Sequence, residues 1–260
     1  MSETSSRLPK RVRNELRFRQ LTVAAKTRIA NTFWRIDFSG ADLAGFTSSG
    51  FDDHIKVFFP DAVSGVLALP EVTADGVVWQ EGARPVSRDY TPLFFDAEQQ
   101  TLTLDFYIHD GGVASGWADA AQVGDALAIG GPRGSLVVPE DYKFQLYVTD
   151  ESGLPAFKRR NLTQTAQLSH LYAFADPAPG KAYLEVHNDL HAHWLGSGHM
   201  HGPHIDTLIN TLDTVTLPAD DYFIWLTGEG EAVKKLSDYF IGQRGCDERF
   251  VRAVAYWHNK

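Results

Sequence analysis

One cysteine, Cys246, stands in 260 residues, so no disulfide can close within the chain and nothing points to an oxidising compartment. Its place after Gly245 reads as a bland structural position rather than a reactive thiol. Positive charge is scarce: 24 Lys and Arg against 33 Asp and Glu leave a net charge of -9, which argues against nucleic acid, whose phosphates need a basic surface. An anionic ligand would need a locally basic pocket. No apolar run approaches the length of a membrane span, and the basic opening with Lys10, Arg11, Arg13, Arg17 and Arg19 lacks the apolar core of a signal peptide. The expectation is a cytoplasmic monomer with no nucleic acid and no membrane insertion. The Gly-x-Gly-x-x-Gly turn of dinucleotide-binding proteins is also missing, which argues against tight nicotinamide binding by that geometry.

What the chain does contain is two patterns in succession. Residues 1 to about 14 are polar and basic and are expected to be a mobile tail. The spacing then predicts short strands at Leu21 to Lys26, at Trp34, Ile36 and Phe38, and at Ile55, Val57 and Phe59. The clearest is Leu102, Leu104, Phe106 and Ile108, alternating with Thr101, Thr103, Asp105 and Tyr107. Turn clusters at Ser39 to Asp42, Pro60 to Gly65 and Glu81 to Pro85 separate them, and many short strands between turns imply a barrel or sandwich. From Phe144 the period lengthens. Strands are predicted at Phe144 to Thr149, Leu171 to Ala175, Ala182 to Val186, Tyr222 to Thr227 and Phe250 to Tyr256. Helices are predicted at Leu154 to Leu168, near Ile205 to Leu212, and at Glu231 to Gln243 with Val233, Leu236 and Phe240 on one face. Strands alternating with helices give a mainly parallel sheet. The fold class is therefore two-domain: an antiparallel β-barrel over residues 15–138, then an α/β domain over 139–260, with the boundary near Pro139.

Two stretches carry candidate chemistry. In Arg88-Asp89-Tyr90-Thr91 a permanent cation, an aromatic face and a small hydroxyl lie side by side, which suits the pyrophosphate, ring and redox-active nitrogen of a flavin dinucleotide. A strand would put Arg88 and Tyr90 on one face and Thr91 on the other, so a shared site needs the strand to end there, and Pro92 supplies the reason. On those residues alone an ordinary exposed edge strand is the favoured reading. Further on, His109-Asp110-Gly111-Gly112-Val113-Ala114-Ser115 precedes a short helical stretch, with Ser115 as the expected N-cap; a helix start behind two glycines is an anion site, or simply a capped helix after a turn. A third cluster, His187, His191, His193, His199, His201 and His204, is broken by glycines and Pro203 and has no cysteine or carboxylate-rich shell, so it reads as a polar surface loop with no metal site.

Taken in order, these motifs resemble the siderophore-interacting protein family, flavin-dependent ferric-siderophore reductases related to ferredoxin reductases. The resemblance spans about Leu16 to Trp257. It is carried by Arg88, Tyr90 and Thr91, by Asp105 to Ser115 with Trp117, by Val123-Gly124-Asp125 and by Gly131 to Ser135. It continues through Asp150 to Ala156, Gly228-Glu229 with Ala232-Val233, and Ala255-Tyr256-Trp257. It implies a Greek-key flavin barrel in which Arg88 binds FAD pyrophosphate, Tyr90 packs on the isoalloxazine and Thr91 bonds near N5. His109, Asp110, Gly111, Gly112, Ala114 and Ser115 would hold the rest of the dinucleotide. Lys56 matches a lysine placed near the substrate, and Lys260 is a second candidate for a ferric siderophore. The chemistry belongs to the flavin, so no catalytic acid or base is expected. NADH, NADPH or a reduced ferredoxin would supply electrons: the missing glycine turn and the end of the chain at Lys260 suggest slow nicotinamide reduction or a ferredoxin-like partner, and equally the Asp150 and Glu229 turns could bind nicotinamide in a different manner. Rival readings are a flavin reductase with other acceptors and a non-enzymatic ferric-chelate carrier. Three departures stand out: Leu93 where relatives often have a second arginine, Thr149 and Ser152 in the Gly-Asp-Glu-Thr turn, and His258 where a basic residue is usual.

Overall fold

The computed structural model describes residues 7–61, 63–73, 76–79, 85–166, 168–185 and 190–259. The chain divides into two compact units, one of Arg11–Val137 and one of Val138–Lys260 together with the residues before Arg11. The first contains β1 (Lys10–Arg13), β2 (Phe18–Ile29), β3 (Phe33–Ser39), β4 (Ile55–Phe58), β5 (Glu71–Thr73), β6 (Gly76–Val78), β7 (Ser87–Tyr90), β8 (Phe94–Asp96) and β9 (Thr101–Tyr107). Helix α1 (Val113–Ala120), β10 (Ala126–Gly130) and β11 (Gly134–Val137) complete it.

Seven strands pair in the order β7-β4-β10-β2-β3-β9-β8, a barrel-like antiparallel sheet around a core that includes Leu21, Val23, Ile36, Phe38 and Leu127. The alternation from residue 101 puts Leu102, Leu104 and Phe106 in that core. It does not leave the other face wet. Asp105 is 2% exposed and takes a two-pronged bond from Arg35 at 2.8 and 2.7 Å, and Thr103 is bonded to Asp37 at 2.6 Å. Both partners come from β3, which pairs with β9 in the register Arg35↔Asp105 and Asp37↔Thr103. Polar residues can be buried there because the neighbouring strand satisfies them.

The second unit contains β12 (Phe144–Asp150), α2 (Leu154–Thr163), β13 (Leu168–Phe174), α3 (Pro177–Leu184), β14 (Leu190–Trp194), α4 (Gly202–Leu212), β15 (Tyr222–Glu229), α5 (Gly230–Asp238) and β16 (Val251–Trp257). Its five strands are parallel, in the order β14-β13-β12-β15-β16. β12 and β15 are buried along their whole length, as strands covered on both faces must be, and their sequences are correspondingly apolar. The chain winds outward from β12 to β14 and then returns to the other side of β12, so the topological switch point lies between β12 and β15.

Several expectations need correction. The basic opening is not a tail from Arg7 onward: Lys10–Arg13 is a strand paired with β11, and Arg7 bridges Asp141 at 3.1 Å and Asp221 at 2.8 Å. The strand expected at Ala182 to Val186 is the end of α3, which starts on Pro177 and stops where Glu185 turns left-handed at φ 51°; Val186 lies outside the described residues. A short apolar run does not by itself distinguish helix from strand. The helix expected to reach Leu168 ends at Thr163, and Leu168 opens β13. The histidine-rich segment is not all loop, because Leu190, Ala192 and Trp194 alternate with His191 and His193 to form β14. His187 lies outside the described residues, as do residues 81–84 of one expected turn.

Candidate functional site

β7 is an edge strand, paired only with β4 in the seven-stranded sheet, with Ile55↔Tyr90, Lys56↔Asp89 and Val57↔Arg88 opposite one another. It ends at Tyr90, so Thr91 escapes the strand's alternation and turns inward to a buried position. Arg88 is exposed, and its guanidinium bonds only the carbonyl of Ser87, at 2.8 Å, among the described residues. No carboxylate stands within ion-pair range of it among them, which leaves the charge for an external anion. The Tyr90 ring rests 4.4 Å from the ring of Phe106, and Phe106 packs 6.0 Å from Trp117. This backing fixes the ring plane while the residue stays half-buried. Burial pushes the Tyr90 phenol above its ordinary value, with the Arg88 charge acting against the shift, so the hydroxyl is neutral. The Thr91 hydroxyl makes no hydrogen bond among the described residues. A cation, a braced aromatic face and an unengaged hydroxyl therefore meet at one strand end, which fits a flavin dinucleotide.

Lys56 is not grouped with them. The pleat sends Lys56 and Asp89 to the opposite face of the β4–β7 ribbon from Arg88 and Tyr90, where Lys56 Nζ bonds Asp89 Oδ1 at 2.8 Å with both side chains about half exposed. Lys260 lies outside the described residues. Leu93 is 1% exposed and its amide donates to the carbonyl of Thr103 at 2.9 Å, so the position of the family's second arginine is a core position here.

Between β9 and α1 the chain turns through His109, Asp110 and Gly111, the last at φ 74°. The imidazole of His109 stacks on Tyr107 and folds over Gly112, where a Cβ would stand 2.4 Å from its Cε1. Ser115 is not the N-cap. It sits inside the first helical turn, where its hydroxyl accepts the amide of His109 at 3.0 Å, and the cap position belongs to Gly112, which has no side chain to offer. The first amides of α1 are thereby left without a side-chain cap, the state in which a helix start binds phosphate. Ala114 and Ser115 are buried, so only their amides can contribute.

In the second unit the carboxyl ends of β12 and β15 are built around Asp150. Its Oδ1 accepts the amide of Ser152 at 2.9 Å, and its Oδ2 accepts the indole N–H of Trp257 at 2.6 Å. Burial pushes this carboxyl up, against the pull of the Ser152 and Trp257 bonds. Gly228 has φ 130°, and a Cβ there would lie 2.3 Å from Met200 Sδ and 2.9 Å from Asp150 Oδ2. Glu229 is buried and caps α5 by accepting the amide of Ala232 at 3.0 Å. His258 packs over Gly230, with its Nδ1 2.1 Å from where a Cβ would be. The Asp150–Trp257 bond and the Met200 contact join residues far apart in sequence, and no local signal announced them.

Comparison with known proteins bears on the family and the fold. Residues 22–136 match the family model described as Siderophore-interacting FAD-binding domain, and residues 142–260 match that of Siderophore-interacting protein. The chain is 51% identical, over 98% of both sequences, to the NADPH-dependent ferric-chelate reductase of Escherichia coli strain K12. A siderophore utilization protein from T. fusca has the same fold, with a TM-score of 0.81, 31% identity and 96% of each chain covered. At 17% identity and a TM-score of 0.64, the ferredoxin reductase of a carbazole 1,9a-dioxygenase shares the fold alone, over 94% of this chain and 70% of that one. With its FAD-binding half and its second half both matched, the chain belongs to the siderophore-interacting protein family.

Proposed function

We propose that this protein is an FAD-dependent ferric-siderophore reductase, drawing electrons from NADPH and releasing iron from ferric chelates as Fe(II). The observation that carries the reading is the pairing of the Arg88–Thr91 strand end with the uncapped start of α1, in a chain 51% identical to an NADPH-dependent ferric-chelate reductase. When bound, FAD accepts two electrons at once and passes them on singly, so one NADPH serves two ferric ions. Arg88 holds the pyrophosphate, Tyr90 orients the ring, Thr91 bonds its edge, and the amides after Gly112 carry the remaining phosphate charge. The His109 ring shields that turn. Lys56 is the proposed contact for an anionic chelate, in competition with Asp89, and Lys260 is the second. No helix among the described residues is long and apolar enough to cross a membrane, and we place the protein in the cytoplasm as a monomer.

The test is direct. The protein should purify yellow with about one FAD per chain, and stopped-flow mixing should show reduction by NADPH, then reoxidation by ferric siderophores with Fe(II) appearing in a ferrous trap. A colourless protein that takes up no FAD refutes the flavin reading. Chelate binding without Fe(II) would make it a carrier, and faster reduction by a reduced ferredoxin than by NADPH would assign that partner as donor.

A further inference from the structure

The loop carrying His199, His201 and His204 crosses the carboxyl ends of the parallel strands, and we propose that these three imidazoles bind the 2′-phosphate of the NADPH donor. This deepens the donor assignment above and rests on it. Leaving β14, the chain is pinned first to β13, where Leu195 and Gly196 donate their amides to Ala173 and Ala175 at 2.8 and 3.2 Å. Ser197 and Asp176 then exchange bonds, each backbone amide meeting the other's side chain at 3.1 Å. Met200 reaches furthest, buried in the space left by Gly228 beside Asp150. The loop therefore arches from the sheet edge to the switch point between β12 and β15, where ligands of such sheets bind. His199 and His201 flank its anchor.

Charge leaves few other candidates. The described loops at the five strand ends, residues 151–153, 175–176, 195–201 and 258–259 and the β15–α5 junction, contain no lysine or arginine; their polar groups are largely Asp150, Glu151, Asp176 and Glu229. A nucleotide phosphate landing there meets acidic side chains except at the histidines. The three rings form one group: His199 stacks on His204 at 4.4 Å and 10°, and His201 meets His204 edge-on at 5.6 Å. His199 Nδ1 is directed at the Leu195 carbonyl, 3.3 Å away, so Nε2 is the atom left for a ligand. Gly196, at φ 87°, permits that fold, since a Cβ there would approach Nδ1 to 2.9 Å. The same end of the loop opens α4, an eleven-residue helix whose dipole adds to the attraction for an anion, although Pro203 has no N–H and the His204 amide donates to the His201 carbonyl at 3.3 Å. Among the described residues no three His, Cys, Asp or Glu side chains are arranged to hold a metal ion.

An acidic residue at the end of the second strand of such a sheet serves the ribose hydroxyls of NAD; Asp176 stands there with Oδ1 accepting the Ser197 amide, so any preference for NADPH has to come from the imidazoles and not from Asp176. The terminal phosphomonoester of NADPH carries nearly two charges and three acceptor oxygens, which suits imidazole donors and a helix start.

The experiment uses the FAD-loaded protein and the combined variant His199→Gln, His201→Gln and His204→Gln, all exposed positions. Stopped-flow flavin reduction should show the NADPH dissociation constant raised at least about tenfold, the equivalent of one lost charge-assisted contact. The NADH constant should change less than about twofold, by the same arithmetic. The limiting reduction rate, and reoxidation of dithionite-reduced protein by ferric citrate, should be unchanged. A second variant, His201→Arg, should bind NADPH more tightly. An unchanged NADPH constant in the combined variant, or equal weakening of NADH, overturns the proposal, and slowed reoxidation by ferric citrate reassigns the histidines to the chelate. If the wild type takes no electrons from NADPH, the donor assignment fails and this inference with it, while the dithionite arm still reads ferric reduction.

Discussion

Asp150→Asn is the substitution whose outcome the geometry constrains most tightly. The carboxylate serves two directions at once, Oδ1 toward the amide and hydroxyl of Ser152 and Oδ2 toward the indole of Trp257 at 2.6 Å. A carboxamide has one acceptor oxygen, so its NH2 must face a donor on one side, and the indole is the partner that can give way because Trp257 is 40% exposed. Leaving the indole N–H without its acceptor costs about 1–3 kcal/mol. For a unit of this size that is a fall in melting temperature of roughly 5–10 °C. The pH dependence gives a second reading. Burial holds the native carboxyl above its unfolded value of 3.8, so the native state binds its proton more tightly than the unfolded state. That contribution to wild-type stability is fully present below the unfolded value and is lost as pH rises through the raised native value. The variant has no such group, so the gap between the two proteins should be widest in acid and narrow as pH rises. Urea unfolding followed by tryptophan emission, at several pH values from 4 upward, measures both. A gap that does not change with pH, or no gap at any pH, would refute the reasoning.

Three further outcomes follow from the same coordinates. Arg88→Ala should weaken FAD binding by roughly 1.5–3 kcal/mol, about ten- to 150-fold, with Arg88→Lys in between because the planar fork is lost; flavin fluorescence titration reads this. Asp89→Asn releases Lys56 from its 2.8 Å partner. One unit charge at about 6 Å in water contributes about 0.7 kcal/mol, so reoxidation by an anionic chelate should quicken about threefold at low salt and return toward wild type as ionic strength rises. The rings of His170, Tyr172, His191 and His193 stack across β13 and β14, and His170 Nδ1 is buried with no hydrogen-bond partner among the described residues. Burial first, then His191 and His193, lower the His170 value, so its stabilising contribution is present above the unfolded value of 6.5 and lost as pH falls through the native one. The drop in melting temperature between pH 7.5 and 5.5 should therefore be smaller in His170→Phe than in wild type.

Sequence alone decided what depends on near neighbours. The alternation at Leu102, Leu104 and Phe106 sets a core face because side chains of a strand point to opposite sides, and the change of period at Phe144 announces a sheet covered by helices. Pro92 ends an edge strand, and Gly111-Gly112 turns the chain into a helix start, whatever the rest of the molecule does. Tertiary structure decided everything that needed a distant partner. Thr103 and Asp105 could be buried only because Asp37 and Arg35 stand opposite them on β3. Lys56 looked like a free cation until pairing with β7 set Asp89 beside it, and Arg7 looked like part of a tail until Asp141 and Asp221 met it. The histidine segment became a strand and an anchored loop through β13 and through the space at Gly228, neither of which is written in its own residues. Periodicity is a property of the backbone and repeats every few residues, whereas charge pairing and burial of polar groups are set by which strands lie side by side, and that is settled only when the chain has folded.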